Sequence, residues 1–156
     1  MGQFGFSVIG LLWLLMLILP NVIWTRFRPA GYDPQGENRL LVVLEKIGQV
    51  GVTCTSLFFS DTNWQPLSPW SLWLAASLGL MLLYEGWWIR YFRSSRTLRD
   101  FYSSFCGIPV AGALLPVAAF LLLGIYGRLL WLILFAVVLG VGHVGIHLQH
   151  RRALNR

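Results

Sequence analysis

The sequence predicts an all-α polytopic membrane protein: a five-transmembrane-helix bundle with a short amphipathic interfacial helix between spans 3 and 4, one integral membrane domain over residues 1–156. Three observations predict it. Apolar residues make up 56% of the chain and charged residues 12%, against roughly 25% charged in a soluble domain. Five apolar runs approach the ~20 residues that a helix needs to cross hydrocarbon. Lys and Arg gather in alternate connections between those runs.

The first span, FGFSVIGLLWLLMLILPNVIW, covers about 4–25. It follows no basic segment and precedes no small-residue cleavage site, so it reads as a retained span rather than a removed signal. Phe6 stands where a myristoylation motif needs Ser or Thr. The second span, LLVVLEKIGQVGVTCTSLFFS, covers about 40–60, and the third about 69–92. The apolar tract from Phe105 to Leu148 is too long for one crossing. IYGR divides it into spans of about 105–125 and 129–148 joined as a hairpin.

Between spans 3 and 4, RSSRTLRDFYSSF places Leu98, Phe101, Tyr102 and Phe105 at i, i+3, i+4 and i+7. That spacing predicts an amphipathic helix lying in the membrane interface. Lipid tails offer helices no hydrophobic reason to associate, so close packing is expected at small residues, Gly107 with Ala111 and Ala136 with Gly140. Pro20, Pro109 and Pro116 are expected to kink their helices. Trp24, Trp87 and Trp88 at one boundary, and Trp64, Trp70, Trp73 and Trp131 at the other, read as interfacial belts. Cys54 and Cys106 have no CxxC spacing and read as buried free thiols.

Orientation follows from the basic residues. Arg26, Arg28, Arg39, Arg90, Arg93, Arg96, Arg99, Arg151, Arg152 and Arg156 fall on one side, and Arg128 alone on the other. The positive-inside rule then puts the amino terminus outside the cell membrane and the carboxyl terminus in the cytoplasm. The net charge of +6 marks orientation and contact with membrane lipids. No basic soluble domain is present to hold a duplex, so nucleic acid is not an expected partner.

All three histidines lie within GHVGIHLQHRR, and His143, His147 and His150 fall within about 60° of one another on a helix. Ionisable side chains inside a span cost roughly 2.5 to 3.5 kcal/mol at the helix centre, so each needs a partner or water. Counting about 1.5 Å per residue from the span boundaries puts Glu45, Glu85 and His143 at one depth, about 8 to 10 Å in. These three, with Gln49, His147 and Asn21, are the expected ligand-binding groups of a pocket open to the cytoplasm. Arg90, Arg93, Arg96 and Arg99 are the expected contacts to lipid headgroups, though residues spaced by three drift about 60° per step and cannot all grip one phosphate.

Alternatives stand beside that pocket. His150 and the arginines could cap the helix end, with Glu45 paired to Lys46 or Arg39 and Glu85 to Arg90. His143 and His147 form an i, i+4 pair that could hold a divalent metal. The HxxxHxxH string resembles a fragment of the histidine boxes of membrane di-iron hydroxylases and desaturases, which use several boxes where this chain has one. No metal and no cofactor is expected.

ILPNVIW, ENRLLVVLEKIGQV, YEGWWIRYFR and GHVGIHLQH together resemble a group of small, uncharacterised bacterial multi-pass membrane proteins over nearly the whole chain. That resemblance implies no known activity. Size, span number and tryptophan content also invite comparison with the translocator-protein family of tryptophan-rich sensors. Its tryptophan- and proline-rich first loop is replaced here by TRFRPAGYDPQGENR, and no residue is carried over.

Three functions fit the sequence. The protein binds or moves a lipid-like or small amphiphilic ligand through the pocket; or it is a membrane enzyme acting on a lipid headgroup, with His143 as base and the Arg90 to Arg99 region as phosphate clamp; or it is a non-catalytic subunit of a membrane complex. A homo-oligomer or a membrane-protein partner is compatible with each. No nucleotide motif, Ser/His/Asp order or Asp-rich metal motif supports an enzyme. A phosphatase reporter fused after Arg156 should be inactive and a fluorescent reporter bright; the reverse pattern would remove the five-span reading.

Overall fold

The computed structural model describes residues 2–155. The described residues form six helices and no strands: α1 (Val8–Trp24), α2 (Arg39–Phe58), α3 (Leu72–Arg93), α4 (Leu98–Phe101), α5 (Ala111–Tyr126) and α6 (Leu130–Leu154). Three are long and apolar enough to cross a membrane: Arg39–Phe58, Leu130–Leu154, and α3 with the 3-10 turn before it, Pro69–Arg93. The apolar helices α1 and α5 are shorter, at 17 and 16 residues.

The helices run up and down, so their ends collect in two groups. At one end, the extended stretch before α1 pairs with the end of α2: Gly5 N donates to Phe58 O at 3.0 Å, Ser7 N to Leu57 O at 2.9 Å, and Ser60 N to Gln3 O at 3.0 Å. The first two satisfy carbonyls that the last turn of α2 leaves without partners. Ser7 also caps α1, accepting from Gly10 N at 2.8 Å, and its hydroxyl lies 2.7 Å from that of Thr62. At the other, basic end, Asn38 caps α2 by accepting from Leu40 N at 2.9 Å.

α6 packs between α2 and α5, α5 also packs on α3, and α1 touches α2 and α3 more sparsely. α1 meets α2 closely at one point, where a Cβ on Gly10 would collide with the Ser56 carbonyl, but the most extensive contact is between α2 and α6. A Cβ on Gly48 would sit 2.5 Å from Leu139 Cα, and one on Gly142 2.3 Å from Glu45 N, so the two backbones meet with no side chain between them. Of the expected small-residue contacts, Ala136 is fully buried and Gly140 faces Val117. Gly107 instead lies in a turn at φ +79° with open space around it.

Several elements depart from expectation for local reasons. α5 starts at Ala111 rather than near 105 because Phe105 and Ile108 exchange backbone bonds of 3.0 and 2.9 Å around Cys106 and Gly107, both at positive φ. A two-residue turn of that hand reverses the chain. Pro109 therefore precedes the helix instead of kinking it, while Pro20 and Pro116 lie within α1 and α5. The interfacial helix shrinks to one turn. Arg96 takes φ 55°, and Thr97 and Asp100 form a reciprocal capping box that sets the start of α4 one residue later. Phe101 and Tyr102 are buried as their spacing predicts, but against protein.

Trp87 and Trp88 are core residues rather than belt residues. They pack with Tyr84, Tyr91 and Phe101 in one aromatic cluster. Trp64 and Trp131 are exposed, as a belt requires. Cys54 and Cys106 are exposed free thiols, not buried ones.

Gly142→Val should lower the stability of the detergent-solubilised protein by about 3 kcal/mol through overpacking against α2. Gly79→Ala, at an exposed helical site with open space around it, should raise it by about 0.5 kcal/mol. Unfolding in a graded denaturing detergent measures both, and equal effects would contradict the α2–α6 assignment.

Candidate functional site

The close α2–α6 contact decides where the first histidine goes. Gly142 lies against the backbone of Glu45, and the next residue, His143, turns its Nδ1 onto Glu45 Oε1 in a direct hydrogen bond. Both side chains are partly exposed, at 26% and 19%. Because Nδ1 is engaged, Nε2 is the ring nitrogen left for another partner.

One turn on, His147 is buried. Its ring lies 4.6 Å from that of His143, 5.2 Å from Tyr102 and 5.6 Å from Phe101, centroid to centroid. Its Nδ1 has no hydrogen-bond partner among the described residues. His150 sits at the helix end with Nε2 2.9 Å from Glu37 Oε1, and its ring stacks on Tyr102 at 5.1 Å with planes 11° apart. Gln149 donates to Gly36 O at 2.7 Å and accepts from Asn38 N at 3.2 Å. The end of α6 thus clamps the loop between α1 and α2. Burial pushes the hydroxyls of Tyr32 and Tyr102 above the usual phenol range, and Glu37 adds to the shift in both. Both phenols are therefore neutral at physiological pH.

A cavity of about 470 Å³ opens beside these groups, lined from both α1 and α2. Its apolar wall is Leu17, Pro116, Val117, Phe120 and Leu139, and its polar lining is Asn21, Gln49, Thr53, Tyr84, His143 and His147. Trp87, Trp88 and Phe101 line it as well. Asn21 donates to the hydroxyl of Tyr84 at 2.8 Å and to Leu17 O at 2.7 Å, tying α1 to α3. Ile18, Val22, Gln49 and Thr53 line the cavity while remaining exposed, so the opening runs between α1 and α2.

Four of the six expected pocket residues line this cavity: Asn21, Gln49, His143 and His147. Glu45 stands behind His143 as its partner. Glu85 does not join them. It lies outside the cavity lining, and its Oε1 is buried without a hydrogen-bond partner among the described residues. Arg90 does not reach it, donating instead to Ser104 O at 3.1 Å, to Asp100 O at 3.2 Å and to the Ser103 hydroxyl. Glu45 likewise pairs with His143 rather than with Lys46 or Arg39.

Depth counting cannot see the angle that separates Tyr84 from Glu85, about 100° around α3. The residues it missed had a readable signal. Tyr84, Trp87, Trp88 and Tyr91 recur at i, i+3, i+4 and i+7, one face of a helix.

Among the described residues, no group of three or more His, Cys, Asp or Glu is placed to hold a metal ion, so the His143–His147 pair finds no third protein ligand. Arg96 and Arg99 line a second, wider concavity with Arg26 and Arg28, apart from Arg90 and Arg93. No family model, curated protein or solved structure matches the chain.

Proposed function

We propose that this is a five-span membrane protein, amino terminus outside and carboxyl terminus cytoplasmic, that binds or moves a lipid-like or small amphiphilic ligand in the cavity between α1 and α2. The three long apolar helices support membrane insertion. At 17 and 16 residues, α1 and α5 are about 25 Å long, slightly short of the ~30 Å hydrocarbon layer, a mismatch that tilt and local thinning absorb. Large apolar side chains stand exposed along the helices, among them Leu12, Ile18, Val43, Val50, Leu82, Val137 and Val141. Such a surface is costly in water and suits a lipid solvent.

The observation that carries the ligand reading is the division of the cavity lining. Its apolar wall of Leu17, Val117, Phe120 and Leu139 suits a hydrocarbon segment, while Asn21, Gln49, Tyr84, His143 and His147 offer hydrogen bonds to a polar head. In the proposed topology this opening between helices faces the bilayer rather than the cytoplasm that the sequence suggested, so an amphiphile enters without crossing water.

The Glu45–His143 pair favours one second reading, an enzyme that acts on the polar part of the ligand. A carboxylate that fixes Nδ1 orients the imidazole and supports its use as a general base through Nε2.

A photoactivatable fatty-acyl probe reconstituted with the protein in nanodiscs should label peptides of α1, α2 and α6. Thr53→Trp, which fills the opening, should cut labelling about tenfold with the fold retained. Undiminished labelling in that variant would overturn the reading. His143→Gln should leave labelling within about twofold, since it removes one polar contact among several; loss of turnover with labelling kept would select the enzyme.

A further inference from the structure

The connections at the basic end place four arginines around a concavity of about 620 Å³: Arg26 and Arg28 after α1, and Arg96 and Arg99 around the start of α4. We propose that these four form a binding site for a phosphate-bearing anion, separate from the α1–α2 cavity and independent of what that cavity holds.

Four like charges from two distant chain segments repel one another unless something offsets them. No carboxylate does so: among the described residues the ion pairs are those of His143 with Glu45 and His150 with Glu37, and no arginine takes part. The nearest acid in sequence, Asp100, is turned into its own capping box, where it accepts from Thr97 N and Thr97 Oγ1, each at 2.9 Å.

Two of the guanidinium groups are also held in place. Arg28 lies over Trp24 at 5.1 Å and Arg96 over Phe27 at 5.0 Å. Phe27 is itself pinned, because the Tyr91 hydroxyl donates to its carbonyl at 2.9 Å. Arg96 takes φ 55°, a left-handed conformation unfavourable for a residue with a Cβ, and its guanidinium lies over Phe27, which also lines the concavity. Oriented guanidinium groups free of protein acceptors match the acceptor oxygens of a phosphate mono- or diester. An anionic lipid headgroup and a soluble phosphate compound share that chemistry.

The full chain in nanodiscs separates the two sources. One arm measures, by native mass spectrometry, enrichment of phosphatidylglycerol over phosphatidylcholine in protein purified from a mixture. The other titrates inorganic pyrophosphate onto protein in pure phosphatidylcholine discs. The variant is Arg26→Gln with Arg99→Gln, since neither guanidinium packs on a ring among the described contacts, and Arg93→Gln is the control for bulk juxtamembrane charge. Wild type should bind in at least one arm, the double variant should lose about 25-fold there, near fivefold per arginine, and the control should lose less than about twofold. Enrichment of the lipid alone identifies a headgroup site, and pyrophosphate binding a site open to soluble phosphates. Binding in neither arm, or an equal loss in the Arg93→Gln control, would overturn the proposal.

Discussion

The backbone contact between α2 and α6 is the constraint on which the rest of the structure depends. In a lipid solvent helices associate through packing and polar contacts, so a surface that lets two backbones touch is worth more than an apolar stripe. Gly48 and Gly142 provide that surface. The same contact delivers Glu45 to His143, giving each ionisable group the partner that the proposed membrane setting requires of it. With α6 fixed in this register, His147 falls under Tyr102 and Phe101, and His150 reaches Glu37 in the loop before α2. The three clustered histidines therefore do different work: one lines the cavity with a carboxylate behind it, one is buried in the cavity wall under aromatic rings, and one clamps a loop.

The second consequence is the position of α1. α1 joins the α2–α6–α5–α3 bundle through Ser7 with Thr62 near its start, Gly10 against the Ser56 backbone of α2, buried Trp13 and Leu14 with the Trp13 indole donating to Ser77 Oγ at 2.8 Å, and Asn21 with Tyr84 near its end. Ser77 passes the connection on to α5 by donating to Ala119 O at 2.7 Å. The cavity lies beside the second half of α1, lined there by Leu17, Ile18, Asn21 and Val22. The aromatic face of α3 forms the opposite wall.

Much of this was legible in the sequence, for reasons of scale. The helix positions follow from apolar runs and the two ends from charge, both of which average over many residues. Depth counting set Glu45 and His143 at one level, because rise per residue hardly varies along a helix. What depended on single residues was hidden. A carboxylate one position from Tyr84 points about 100° away from it, which takes Glu85 out of the cavity lining. Left-handed φ values at Cys106 and Arg96 shortened α5 and α4, and neither residue type announces that conformation. Trp87 and Trp88 were read as belts because position alone does not say which face of α3 is core. The grouping of Arg26 and Arg28 with Arg96 and Arg99 needed the tertiary fold, since nearly 70 residues separate the two pairs in sequence.

In the proposed structure the α2–α6 contact joins Glu45 and His143 across it inside the membrane. A double-mutant cycle with Glu45→Gln, His143→Gln and the double variant, read as unfolding free energy of the protein in lipid–detergent micelles, tests it directly. A coupling of about 1 kcal/mol is expected, the upper half of the range for polar pairs between membrane helices. Effects that add to within about 0.3 kcal/mol would show two independent side chains and contradict the account.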